Sequence, residues 1–207
     1  MKKSVKALLL VLCAVVLVVA TVFTTIAYMA SQTATITNTF SVGNVKITMD
    51  ESVYADGVLT SERAPDGNNY KMIPGNKYVK DPIIHVDGTS EDAYIFVKVV
   101  KTNTAGVLEG LEMADGWVAL TGAGNENIYY NTTAYSTVNK DKKDFAVFAP
   151  LADATADGET VKVATTVKND ATAAQVEVTG YAIQATGFDS AQAAWDAAIA
   201  AGDIKLS

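Results

Sequence analysis

The chain has 207 residues and a formal net charge of −7, and is 49% hydrophobic with 19% charged residues. That length suffices for one sizeable hydrophobic core, and the acidic balance argues against nonspecific binding to nucleic acid or anionic lipid, since both would be repelled. With one cysteine, Cys13, and one histidine, His85, the chain has neither a disulfide framework nor the residues for a Cys/His metal centre.

The N-terminus reads as an export signal. Lys2, Lys3 and Lys6 form a cationic segment, and residues 7–22 are an almost unbroken apolar run. No charge occurs between Lys6 and Lys46, so a stop-transfer flank is missing. The small residues Thr25 and Ala27, either side of Ile26, place the cut after Ala27 and make Tyr28 the first mature residue. A cut after Ala30 is the alternative. Cys13 follows Leu12 within the apolar run, so it reads as part of the signal and not as a lipid attachment site.

Beyond the signal the pattern is that of strands. In residues 34–42, Ala34, Ile36, Asn38, Phe40 and Val42 share one face, while Thr35, Thr37, Thr39 and Ser41 share the other. At Gly43-Asn44 the phase changes, since Val45, Ile47 and Met49 carry the apolar face on odd positions; a hinge or bulge is expected there. Residues 50–69 read as a long acidic surface loop containing the turn Ala64-Pro65-Asp66-Gly67. Pro74-Gly75 suits the centre of a type II turn. Strands follow at 82–86 and 92–101, the second apolar on both faces and so central in a sheet. Shorter strands are expected at 117–120, 127–130, 143–149 and 160–168. The lysines Lys140, Lys142 and Lys143 alternate with Asp141 and Asp144 and read as a solvated turn. A long strand at 175–186 carries a bulge at Gly180, where its inward phase shifts. Residues 190–201 are Ala-rich with Trp195 and Ile199 on one face, predicting one helix capped by Asp189 or Ser190 and ended by Gly202. The expected fold is all-β, a jelly-roll-like antiparallel β-sandwich with one short helix near the C-terminus.

The chemistry of catalysis is thinly represented. His85 lies in an apolar strand with no His-Glu-x-x-His partner, and neither a Gly-x-Ser-x-Gly elbow nor a cysteine nucleophile is present in the mature chain. No catalytic residue, cofactor or metal ligand is therefore expected. Residues 153–159 mimic the first half of a calcium loop, but Ala164 stands where the bidentate glutamate belongs, so an acidic turn is the expected role. Asn131-Thr132-Thr133 matches a glycosylation acceptor. Trp117, Tyr129, Tyr130 and Tyr135 suit either a carbohydrate-binding platform or the core, and the core is favoured.

Several segments together carry a family resemblance. Thr25-Ile26-Ala27-Tyr28, Asn38-Thr39-Phe40-Ser41-Val42-Gly43-Asn44-Val45, Met72-Ile73-Pro74-Gly75-Asn76-Lys77, Asp92-Ala93-Tyr94-Ile95-Phe96-Val97 and Tyr181-Ala182-Ile183-Gln184-Ala185 resemble, in the same order, the TasA/camelysin family of bacterial surface proteins. The border Ile26-Ala27-Tyr28-Met29-Ala30 departs from the usual Tyr-Ala-Tyr-Phe-Thr. The resemblance implies removal of the signal by a peptidase of the SipW type, and secretion to the extracellular matrix or cell surface of a Gram-positive bacterium. It also implies a structural, non-enzymatic subunit of biofilm-matrix fibres, in which the mature N-terminal strand of one copy inserts into the next. Implied partners are other copies, joined head to tail, and an accessory matrix protein. On that reading residues 1–27 are signal, residues 28–43 the donor strand with Ala34, Ile36, Asn38, Phe40 and Val42 on its inserted face, Gly43 and Asn44 the hinge, and residues 44–207 the jelly-roll domain. Pattern alone equally allows residues 33–42 to be the first strand of their own sandwich. Camelysins are also described as casein-cleaving metalloproteases, so a secreted metalloprotease is one alternative and a monomeric adhesin or carbohydrate-binding module another.

Overall fold

The structure is a computed structural model that describes residues 5–6, 11–16, 44–55, 58–136, 142–156, 158–168 and 171–205. The chain divides into two units, residues 1–41 and 42–207. In the first, residues 5–6 and 11–16 are helical. Among the described residues no helix is long and apolar enough to cross a membrane.

The second unit is an all-β, jelly-roll-like sandwich of antiparallel sheets with one helix. One sheet has the order β2-β1-β4-β9, built from Val58–Ala64, Ile47–Ala55, Ile83–Val86 and Asp144–Ala146. A second, in the order β11-β5-β8-β7, comprises Gln175–Gln184, Ala93–Thr102, Ile128–Asn131 and Trp117–Ala119. A smaller third sheet, β3-β10-β6, joins Lys77–Val79, Glu159–Val163 and Leu108–Gly110.

Alternation along the strands builds the core. Ile95, Val97 and Val99 of β5 point into a cluster with Ile84, Val86, Phe145 and Val161, and Val45, Ile47 and Met49 pack against it as their odd-numbered phase requires. The opposite face of β5 contributes Phe96 to a second cluster with Leu120, Ile128 and Trp195. The helix α1, Ala191–Ala201, covers that face; Ser190 caps it by accepting from the Ala193 N–H, and Gly202 ends it in the left-handed region at φ 77°. A strand apolar on both faces is thus explained by a sheet on one side and a helix on the other.

Two sequence expectations are corrected. Residues 50–69 are not a long loop: β1 runs on to Ala55 and pairs with β2, with a register shift between Ser52 and Tyr54. Nor is Gly180 a bulge, because β11 pairs with β5 without a shift from Gln175↔Thr102 to Gln184↔Ala93. The change of apolar phase along β11 arises because Val176 and Val178 serve the inter-sheet core while Tyr181 and Ile183 serve the cluster under α1. Gly180 is a close-approach position, where an added Cβ would lie 3.1 and 3.2 Å from Ile84 Cδ1 and Cγ1. The Pro74-Gly75 turn is found: Asn76 N–H donates to the Ile73 carbonyl, and Gly75 takes φ 85°.

Candidate assembly site

The proposed cleavage residues Thr25, Ala27 and Tyr28, the strand residues Ala34, Ile36, Asn38, Phe40 and Val42, and Gly43 of the hinge lie outside the described residues. Asn44 lies within them, and the chain is anchored there. The Asn44 carbonyl accepts from the Glu91 N–H at 3.1 Å, and the Lys46 carbonyl from the Asp87 N–H at 2.9 Å. Ser90, which is buried, takes the Lys46 N–H on its hydroxyl at 3.0 Å. Whatever precedes Asn44 therefore departs from a fixed root on the 87–91 turn.

Among the described residues β11 is bonded on one side only, to β5, which leaves its other backbone edge without a strand partner. None of its ten residues is fully buried. Along this strand a cavity of about 670 Å³ enters the sandwich, with Val176 and Val178 on one wall, Val161 and Val163 on another, and Met49 and Met72 beside them. Val161 and Val163 are buried, whereas Val176, Val178, Met49 and Met72 are half-exposed around the void and lack part of the contacts that native interiors supply.

The floor of this cavity is polar and tightly organised. Glu51 is buried, and its Oε2 pairs with Lys80 Nζ at 2.8 Å. Glu51 Oε1 accepts from both the backbone N–H of Asn68 at 3.1 Å and its Nδ2 at 2.8 Å. The register shift in β1 frees two backbone donors from the ladder: Ser52 N–H goes to Asp81 Oδ1 at 2.9 Å and Tyr54 N–H to Asn68 Oδ1 at 2.7 Å. Tyr54, Tyr70 and Tyr78 pack mutually beside this network, with ring centroids 5.3 to 5.8 Å apart. Burial is the main cause that pushes the Tyr70 hydroxyl well above its ordinary range, reinforced by the Glu51 charge, and it donates to the Val79 carbonyl at 2.6 Å.

His85 stands on the solvent side of the first sheet between two carboxylates. Its Nδ1 is 2.8 Å from Asp144 Oδ1. Its Nε2, sealed from water, lies 3.1 Å from Asp50 Oδ2. Partial burial opposes charging of the ring, yet Asp144 and Asp50 outweigh it and raise the His85 pKa. The Asp50 carboxyl is likewise opposed by burial but held below its usual range by Arg63 and His85. Arg63 joins Asp50 and Asp81 at 2.5 and 2.8 Å, so the charged row reaches across β9, β4, β1 and β2.

The other motifs resolve into local roles. Glu159 accepts from the Thr155 N–H at 2.6 Å and closes its own turn, while Asp153 faces Lys77 at 3.1 Å. Among the described residues no group of three or more His, Cys, Asp or Glu is placed to hold a metal ion. Asn131 is buried and its Oδ1 accepts from the Thr133 N–H, which removes it from the surface a glycosylation acceptor needs. Trp117 and Tyr135 are core residues, and Tyr129 and Tyr130 pack into different clusters, so these four rings form no common platform.

The chain matches no protein-family model, no curated protein and no solved structure.

Proposed function

We propose that this protein is a secreted structural subunit of extracellular biofilm-matrix fibres, polymerising by insertion of its mature N-terminal strand into the neighbouring copy. The reading carries no catalytic role. The observation that supports it most is the edge of β11, which among the described residues has no strand partner, beside a cavity walled by Val176, Val178, Val161 and Val163. An incoming strand supplies both things that edge lacks: backbone partners along the ladder and apolar side chains for the void.

Residues 33–42 have the properties of that strand. Their alternation presents Ala34, Ile36, Phe40 and Val42 on one face with threonines opposite. The segment is ten residues long, the same length as β11, and precedes the fixed root at Asn44. Donation from one copy to the next is head to tail and does not close on itself, so it produces a filament. The resemblance to the TasA/camelysin family points the same way, as does the signal-like N-terminus, with a SipW-type peptidase exposing the donor strand outside the cell.

The test is removal of residues 28–42 from the mature protein. The truncated chain is expected to give a folded monomer that forms no filaments, and filaments of that variant in the electron microscope would overturn the proposal. Addition of a peptide spanning residues 33–42 should raise the melting temperature of the truncated chain, because a ligand of the native state alone stabilises it.

A further inference from the structure

We infer that Glu51, Asn68 and Lys80 form a self-processing site that joins the Lys80 side chain to the Asn68 side chain by an amide bond, with loss of ammonia. This inference is independent of fibre assembly.

The three components of such a reaction meet in one partly buried place. Lys80 supplies the nucleophilic nitrogen and Asn68 the carboxamide. Glu51 holds both through opposite oxygens of one carboxylate, Oε2 to Lys80 Nζ at 2.8 Å and Oε1 to Asn68 Nδ2 at 2.8 Å. The side chains of Glu51 and Lys80 are only 7% and 13% exposed, and the three tyrosine rings stand beside them. Asn68 is held in orientation: its Oδ1 accepts from the Tyr54 N–H at 2.7 Å and its Nδ2 also donates to the Ser52 carbonyl at 2.8 Å. Lys80 is held at its backbone, where Thr160 accepts from its N–H at 3.1 Å and donates to its carbonyl at 2.7 Å.

The step balances without an added reagent. Lys80 passes one proton to Glu51, and the neutral amine attacks Asn68 Cγ. As the Nζ–Cγ bond forms, the carbonyl electron pair moves onto Oδ1, where the Tyr54 N–H stabilises the developing charge. Glu51 delivers its proton to Nδ2 and takes one from Nζ. The Cγ–Nδ2 bond then breaks, the carbonyl re-forms, and neutral ammonia leaves, with Glu51 keeping the remaining proton. The driving force is local: a buried ion pair, costly to desolvate, is exchanged for a neutral amide beside a neutral, protonated Glu51. Departure of ammonia makes the exchange irreversible, and the product closes a covalent ring through residues 68–80 under the cavity.

The experiment is tandem mass spectrometry of a tryptic digest of the purified full chain, alongside K80R and E51Q variants whose folding is checked by circular dichroism. The expected result is a branched species joining residues 64–71 to residues 78–98, uncleaved after Lys80 and lighter than the sum of those two peptides by one ammonia. It is absent from K80R and strongly reduced in E51Q. Linear peptides ending at Lys80, with the intact chain at its sequence mass, would overturn the inference. So would an ammonia loss that persists in K80R, since that locates it in cyclisation of Asn68 onto its own backbone.

Discussion

Replacing Gly180 with valine probes how closely the two large sheets meet. Gly180 sits in an unbroken ladder with β5, and its φ is not in the left-handed region, so the backbone itself accepts a side chain. Gly-to-larger changes in a strand ordinarily gain about 0.5–1 kcal/mol by restricting the unfolded chain. Here the first added carbon already lies 3.1 Å from Ile84 Cδ1 and 3.7 Å from Ile47 Cδ1, and Ile84 is fully buried with no free side to move to. Valine adds two further methyl groups to that space. Overpacking of this kind costs about 1–3 kcal/mol, which exceeds the entropic gain. For a chain of this size the melting temperature should fall by roughly 2–4 °C per kcal/mol. Ile84→Val removes Cδ1, the nearer of the two crowding atoms, leaves Cγ1 at 3.2 Å, and by itself costs about 0.5–1.5 kcal/mol. The double variant should then be more stable than the sum of the two single losses allows, by about 1 kcal/mol, because the residues touch. Urea unfolding followed by circular dichroism measures all four corners of the cycle. Strict additivity, or a neutral Gly180→Val, would refute the close approach and revive a bulge.

Two further outcomes follow from the structure. His85 has its pKa raised between Asp50 and Asp144, so the stabilisation it provides is complete below its ordinary value of 6.5 and is lost as pH rises through the raised value. The stability difference between wild type and His85→Gln should shrink over that interval, by about 0.2–1 kcal/mol for each pair; a difference independent of pH from acid to alkaline conditions would refute the assignment. Gly110 takes φ 89°, and an added Cβ would lie 2.6 Å from the Thr160 carbonyl oxygen, so Gly110→Ala should lose about 2 kcal/mol or more in thermal denaturation.

The sequence was most readable where one periodicity governed a whole element. The two-faced apolar run of β5 placed it centrally, and Ser190, Trp195 and Gly202 marked the helix with its cap, its buried face and its end. It was least readable where tertiary partners decide. Gly180 looks like a bulge because the apolar phase changes there, yet nothing local says that a helix covers one face of β11 and a sheet the other. The β1–β2 hairpin was hidden by its acidic and polar residues, although Asp56-Gly57 between Tyr54 and Leu59 carries the composition of a tight turn and could have revealed it. The same polar patterning conceals Glu51, Asn68 and Lys80. A glutamate, an asparagine and a lysine in polar stretches read as solvated, and only the register shift and the tyrosine cluster bring them together under cover. The two carboxylates beside His85 come from other strands and leave no local signature.

The central claim is that residues 33–42 complete the edge of β11 in a different copy. Electron cryomicroscopy of fibres grown from the mature protein tests it most directly. The account predicts continuous density for a strand laddered along Val176 and Val178 that traces back through Gly43 to the adjacent subunit. A strand in that place traced to the same subunit, or fibres in which β11 keeps an empty edge, would contradict it.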